Sequence, residues 1–104
     1  MILVIYAKVH SSKNGEIIAM CDEELLGRII TDGRIEINLD KYAGFYKGSL
    51  VSEEKAGSLI GNDVFSANLV GKRSVEIFEK KGLVSESQVR NVGGVKFVQI
   101  FNLD

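Results

Sequence analysis

The sequence predicts an α+β fold: a two-layer sandwich in which helices pack on one face of a mostly antiparallel sheet. Three observations lead there. Apolar, β-rich runs stand near both ends (residues 2–9 and 95–103), turn dipeptides join neighbouring strands, and amphipathic segments with helix caps lie mainly between. A chain of 104 residues suits one hydrophobic core better than two, so residues 1–104 are read as a single globular domain.

Residues 2–9 are almost continuously apolar, the pattern of a strand covered on both faces or central in a sheet. Ser11-Ser12-Lys13-Asn14-Gly15 reads as a hairpin loop, because Asn and Gly tolerate the positive φ of a reversal, and residues 16–21 return as the second strand. Asp22 is a good helix N-cap and Glu23 and Glu24 suit a first turn, but Gly27 limits this helix to a short stretch through Leu25 and Leu26. Asp32-Gly33 marks a two-residue turn between strands at 28–31 and 34–39. There Ile35, Ile37 and Leu39 alternate with Glu36 and Asn38, so one face points inward. Residues 42–48 hold two glycines and three aromatics with neither a strand nor a helix period, and read as an ordered loop.

Ser52, followed by Glu53 and Glu54, caps a short helix that runs to about Leu59 or Ile60 before Gly61-Asn62-Asp63 breaks it. The clearest helix is expected next. Leu69, Val70, Val75, Ile77 and Phe78 supply its apolar surface, Lys72, Arg73, Glu76, Glu79, Lys80 and Lys81 its polar surface, and Lys80-Lys81-Gly82 its end. Leu83-Val84 can pack back on it, and Ser85-Glu86-Ser87-Gln88 has the spacing of a capping box. Residues 89–92 and 95–103 flank Gly93-Gly94 as a final hairpin whose second strand is apolar enough to be central.

Composition removes several function classes. Cys21 is the single cysteine and His10 the single histidine, so an internal disulfide is excluded, a structural zinc site lacks ligands, and neither a metal nor a cofactor is expected. The apolar opening is too short for a span of about 20 residues and lacks the basic region of a secretory signal, which points to a cytoplasmic protein without membrane attachment. A net charge of −1 argues against indiscriminate coating of nucleic acid. The charge is uneven, however: residues 1–71 carry seven basic and ten acidic side chains, residues 72–96 six basic and three acidic.

The segment Ala67-Asn68-Leu69-Val70-Gly71-Lys72-Arg73 therefore stands out. It sets a glycine, a lysine and an arginine at a helix start, where unpaired amides and the positive end of the dipole can hold a phosphate. Asn68, Gly71, Lys72 and Arg73 are the candidate anion or RNA contacts, with Lys80, Lys81, Arg90 and Lys96 in support. Tyr42, Phe45 and Tyr46 are candidates for stacking on an unpaired base, worth about 1 to 3 kcal/mol. Each also has a plain structural use: Asn68 and Gly71 as a helix-entry turn, the aromatics as core, the cations as a solvated helix surface. No residue is assigned a catalytic role. Glu23-Glu24 and Glu53-Glu54 sit at helix starts, where negative charge is favourable without chemistry.

Four segments in order, Cys21-Asp22-Glu23-Glu24-Leu25-Leu26-Gly27, Ala67 through Arg73, Gly82-Leu83-Val84 and Val92-Gly93-Gly94-Val95, resemble the hallmark segments of the archaeal domain-of-unknown-function family 424. The similarity covers nearly the whole chain. It implies a small archaeal α+β protein without an established activity, associated with translation components that include the beta subunit of initiation factor two. The expectation is a non-catalytic RNA-binding or ribosome-associated module, with RNA or a ribonucleoprotein as partner. One alternative is a protein-interaction adaptor on a translation factor, homodimeric in one version. A second is an enzyme using Cys21, whose thiol could be activated by a nearby helix start; set against it, Cys21 also reads as a small buried apolar residue.

Overall fold

Three of the strand pairs are hairpins whose turns the sequence spells out. The computed structural model describes residues 2–101. Among them β1 (Ile5–Ser12) and β2 (Gly15–Asp22) pair antiparallel about Lys13-Asn14, with Ser12 opposite Gly15. β3 (Ile29–Asp32) and β4 (Ile35–Asn38) pair about Gly33-Arg34, and β7 (Arg90–Val92) and β8 (Val95–Phe101) about Gly93-Gly94. Asn102 and Leu103, the expected end of the last strand, lie outside the described residues. Three α-helices are described: α1 (Ala43–Tyr46), α2 (Glu53–Ser58) and α3 (Lys72–Lys80). β5 (Ser49–Val51) and β6 (Val64–Val70) complete the strands.

Six strands form one large, mostly antiparallel sheet in the order β5-β1-β2-β6-β8-β7, with the β2–β6 pair parallel; β3 and β4 form a separate two-stranded sheet. The mixed α/β class and the antiparallel sheet follow the sequence expectation, and several local readings are corrected. The first strand spans Ile5–Ser12 rather than residues 2–9, which leaves Lys13-Asn14 of the expected Ser11–Gly15 loop as the turn, and the short helix expected after Asp22 is one 3-10 turn, Glu23–Leu25. Leu69 and Val70, assigned above to the helix, belong to β6, and α3 begins at Lys72. Residues 43–46 form a single helical turn rather than a loop. Ser49–Val51 adds an edge strand beside β1.

Strand alternation sends side chains to two covered faces. Ile5, Ala7, Ile18, Met20, Ala67, Leu69, Val98 and Ile100 meet Ala56 of α2 and Val75, Ile77 and Phe78 of α3. The opposite face differs from the two-layer expectation. Ala19, Cys21, Val70 and Val92 pack there against Ile30, Ile37 and Leu39 of the β3–β4 hairpin and Tyr46 of α1. β2 explains how: its Ile18-Ala19-Met20-Cys21 run is fully buried on both faces, as a strand sandwiched between layers must be.

Caps hold the helices as their sequences indicate. The Ser52 hydroxyl accepts from the Lys55 amide (3.1 Å), and α3 ends where Gly82 adopts φ +72° while the Leu83 amide donates to the Phe78 carbonyl (3.0 Å). Ser85 and Gln88 close the expected capping box on one 3-10 turn. No described helix is long and apolar enough to cross a membrane.

Candidate functional site

Gly71 caps α3 but has no side chain with which to do so, and the start of the helix draws its acceptor from elsewhere in the chain. Asp22, at the end of β2, accepts from the Arg73 amide (3.0 Å), the Ser74 amide (2.9 Å) and the Ser74 hydroxyl (2.8 Å). Gly71 stands at φ +107°, and a Cβ there would overlap the Asp22 carboxyl. The anion expected at this helix start is thus the protein's own carboxylate, 2% exposed, and an external phosphate finds those two amides taken. Arg73 is engaged as well, 3.2 Å from Glu24 and 4.0 Å from Glu53. Burial raises the Asp22 carboxyl above its ordinary range, with the Glu24 charge adding to the rise, against the opposing pull of the Arg73 and Ser74 hydrogen bonds.

A second feature lies on the opposite face. A cleft of about 470 Å³ opens between the sheet and the layer formed by β4 and α1. Ile35, Ile37, Leu39, Phe45 and Phe97 give it apolar walls, while Glu36, Asn38, Asn68 and Gln99 bring polar atoms to it. β6 and β8 align Asn68 directly opposite Gln99, and the Gln99 amide donates to Asn68 Oδ1 at 3.0 Å. α1 is anchored from below by β1: the Phe45 ring stacks on His10 (4.5 Å, 11°), His10 Nε2 lies 2.9 Å from the Phe45 carbonyl, and Lys8 Nζ donates to the Gly44 carbonyl at 2.9 Å.

The three candidate aromatics have different fates. Tyr42 stands 55% exposed at the cleft, with Lys41 Nζ 5.5 Å from its ring centroid. Phe45 is half-buried and meets Tyr46 edge-on at 5.2 Å. Tyr46 is 7% exposed and its ring belongs to the core, which corrects its reading as a free stacking platform. Its hydroxyl has no hydrogen bond to another described residue, yet no buried side-chain oxygen among those residues lacks a partner. Tyr46 is also one of the residues that line the cleft. Burial, then the neighbouring Cys21, push its hydroxyl up to about 12, so it is a neutral O–H.

The structure thus divides the residues singled out by sequence. Asn68 joins the aromatics at the cleft, and the register that sets Arg90 opposite Phe97 places Arg90 on that face too. Lys72, Arg73 and Lys80 ride on α3 across the sheet with Lys81 at its C-cap, and Lys96, alternating with Phe97, faces that side with Val98. Lys80 and Lys81 share a shallow groove with Glu53 and Glu54, so the basic face is interleaved with acid. Phe97 and Gln99 were not singled out by sequence, and Asp22, read as the cap of the turn that follows it, caps α3 instead. The signal for the amide pair was one Asn and one Gln, each inside an apolar strand.

Cys21 is fully buried. Burial, then the Asp22 and Glu24 charges, push its thiol up to about 12, opposite to the lowered value of an activated thiol. No group of three or more His, Cys, Asp or Glu among the described residues is placed to hold a metal ion.

The family model described as "Protein of unknown function (DUF424)" matches residues 9–103. The chain belongs to the DUF424 family. A comparison of this DUF424 chain with curated proteins gave no match. Its fold is similar to the crystal structure of an uncharacterized conserved protein from Methanopyrus kandleri, with a TM-score of 0.79 and 22% sequence identity, covering 95% of this chain and 91% of that one. At that identity the likeness establishes the fold of this DUF424 protein and leaves its activity to the chemistry of its own side chains.

Proposed function

We propose that the protein is a non-catalytic, cytoplasmic RNA-binding module associated with translation, and that it binds through the cleft rather than through the start of α3. The observation that carries this reading is the meeting of Tyr42, Phe97 and the Asn68–Gln99 amide pair in one open cleft. An exposed aromatic offers a stacking face, and amides read base edges. Arg90 beside Phe97 and Lys41 beside Tyr42 offer cations to the flanking phosphates. The translation setting comes from the family resemblance.

The test is fluorescence anisotropy with a labelled, mixed-sequence single-stranded RNA at low and high salt. Tyr42→Ala is expected to weaken binding by about 1 to 3 kcal/mol, and Arg90→Ala to weaken it while flattening the salt dependence. Lys72→Glu combined with Arg73→Glu is expected to change affinity little. RNA binding indifferent to Tyr42 and abolished by the α3 pair would overturn the cleft as the site. A second reading, a protein-docking adaptor, is favoured by the exposure of Ile29, Ile35 and Phe101. Co-purification of one partner that survives nuclease treatment would favour it.

A further inference from the structure

We infer that the cleft is a pocket for a single purine base, which it holds without help from the ribose phosphate: the apolar walls clasp the ring while Tyr46 Oη, Asn68 and Gln99 meet its edge. This rests on the RNA-binding reading of the same cleft and narrows it to a ligand class.

Three observations converge. First, Tyr46 is more than nine-tenths buried and lines the cleft, and its hydroxyl has no hydrogen bond to another described residue. A phenol in that wall, with its ring held by the core, supplies both a donor and an acceptor for a ligand that reaches it. Second, the Gln99-to-Asn68 hydrogen bond fixes both amides and consumes one donor and one acceptor. It leaves Asn68 Nδ2 to donate and Gln99 Oε1 to accept, the complement of a base edge that carries a ring nitrogen beside an exocyclic group. Third, among the described residues the lining holds no lysine or arginine and one ionisable carboxylate, Glu36. Such a lining offers a phosphate no cation inside the cleft and suits a neutral ring, with Arg90 and Lys41 left outside it. The volume, about 470 Å³, lies within the range of small-molecule sites, and a two-ring base covers more of the Ile37, Leu39 and Phe97 wall than a one-ring base does.

The experiment is an NMR titration of the full chain, labelled with nitrogen-15, using adenosine, guanosine, cytidine and uridine, none of which carries phosphate. The purine nucleosides are expected to shift the side-chain amide signals of Asn68 and Gln99 and to bind about tenfold tighter than uridine, with affinity nearly independent of salt. Tyr46→Phe keeps the ring in the core and removes only the hydroxyl; it is expected to weaken purine binding about fivefold. Equal affinity for purines and pyrimidines, or shifts that bypass Asn68 and Gln99, would overturn the inference. The single-stranded RNA used above, titrated in parallel, separates the two ideas. RNA bound at the cleft with nucleosides ignored sinks the purine pocket and leaves the RNA reading standing. Nucleosides bound at the cleft with RNA ignored does the reverse.

Discussion

Asp22 ties the end of β2 to the start of α3 through three hydrogen bonds, and both partners were hidden from each other by some fifty residues of sequence. The sequence showed a good cap residue and a helix start without one, but local spacing assigned Asp22 to the turn that follows it, where its side chain makes no cap bond. Asp22→Ala strands two helix amides and a buried hydroxyl, and a loss of about 3 kcal/mol in urea unfolding is expected. The pH dependence has a definite sign. Because burial raises the folded pKa of Asp22 above its unfolded value, the native state holds this proton more tightly than the unfolded chain does. The associated stability is complete below the unfolded value and is lost as pH rises through the folded one. Unfolding midpoints taken from neutral pH down through the carboxylate range should therefore move in favour of the wild type relative to Asp22→Asn, which has no proton to gain. The opposite trend would mean that the α3 amides outweigh burial. Cys21, with its thiol pushed up to about 12 and no exposed surface, should label with a maleimide at neutral pH only as fast as the fold opens.

Elements were legible where their ends carry chemistry. Asn14-Gly15, Gly33 and Gly93-Gly94 marked three hairpins, Ser52 marked α2, and Gly82 marked the end of α3, since each of these residues does a local job in its turn or cap. β6 was not legible. Val64, Ser66, Ala67, Leu69 and Val70 are all buried, because β6 lies between β2 and β8 with layers on both sides, and a short apolar run with no alternation cannot be told from buried helix. Missing β6 also hid the cleft, since Asn68 and Gln99 become neighbours only when β6 pairs with β8. The α1 turn was hidden for a related reason: Gly44 disfavours a helix, and the turn is held by distant contacts from Lys8 and His10. The local devices make a local prediction. Ser52→Ala removes the hydroxyl that accepts from the Lys55 amide and should cost about 1 kcal/mol in thermal or urea unfolding, with the native circular dichroism unchanged.

At the scale of the whole molecule, one sheet serves two cores of unequal attachment. α2 and α3 are bonded into the chain on one face through caps and the Asp22 tie. On the other face β3 and β4 bond mainly to each other. The exchange between Gly27, Arg28 and Leu39 continues the hairpin's own ladder, and the Gly93 amide donating to Asp32 at 3.1 Å links it to the β7–β8 turn. That asymmetry predicts two levels of opening. Amides of β2 and β6, interior to the sheet, should exchange with solvent only on global unfolding, while those of β3 and β4 should exchange through a smaller opening that frees the hairpin alone. Two truncations separate the levels. Phe78→Ala, in the helix-side core, should cost about 3 to 5 kcal/mol and speed exchange everywhere. Ile37→Ala, in the hairpin-side core, should cost about 2 to 5 kcal/mol and speed exchange most in β3, β4 and α1. Because the two side chains sit in separate clusters on opposite faces, their costs should add within about 0.5 kcal/mol in the double variant. The hairpin also carries Ile35, Ile37 and Asn38 into the cleft, so a bound ligand that touches both β4 and the sheet closes the weaker opening first. Slowed exchange in β3 and β4 on ligand binding, at a concentration that leaves β2 and β6 unchanged, is the expected outcome; uniform slowing would mean that the hairpin and the sheet open only as one unit.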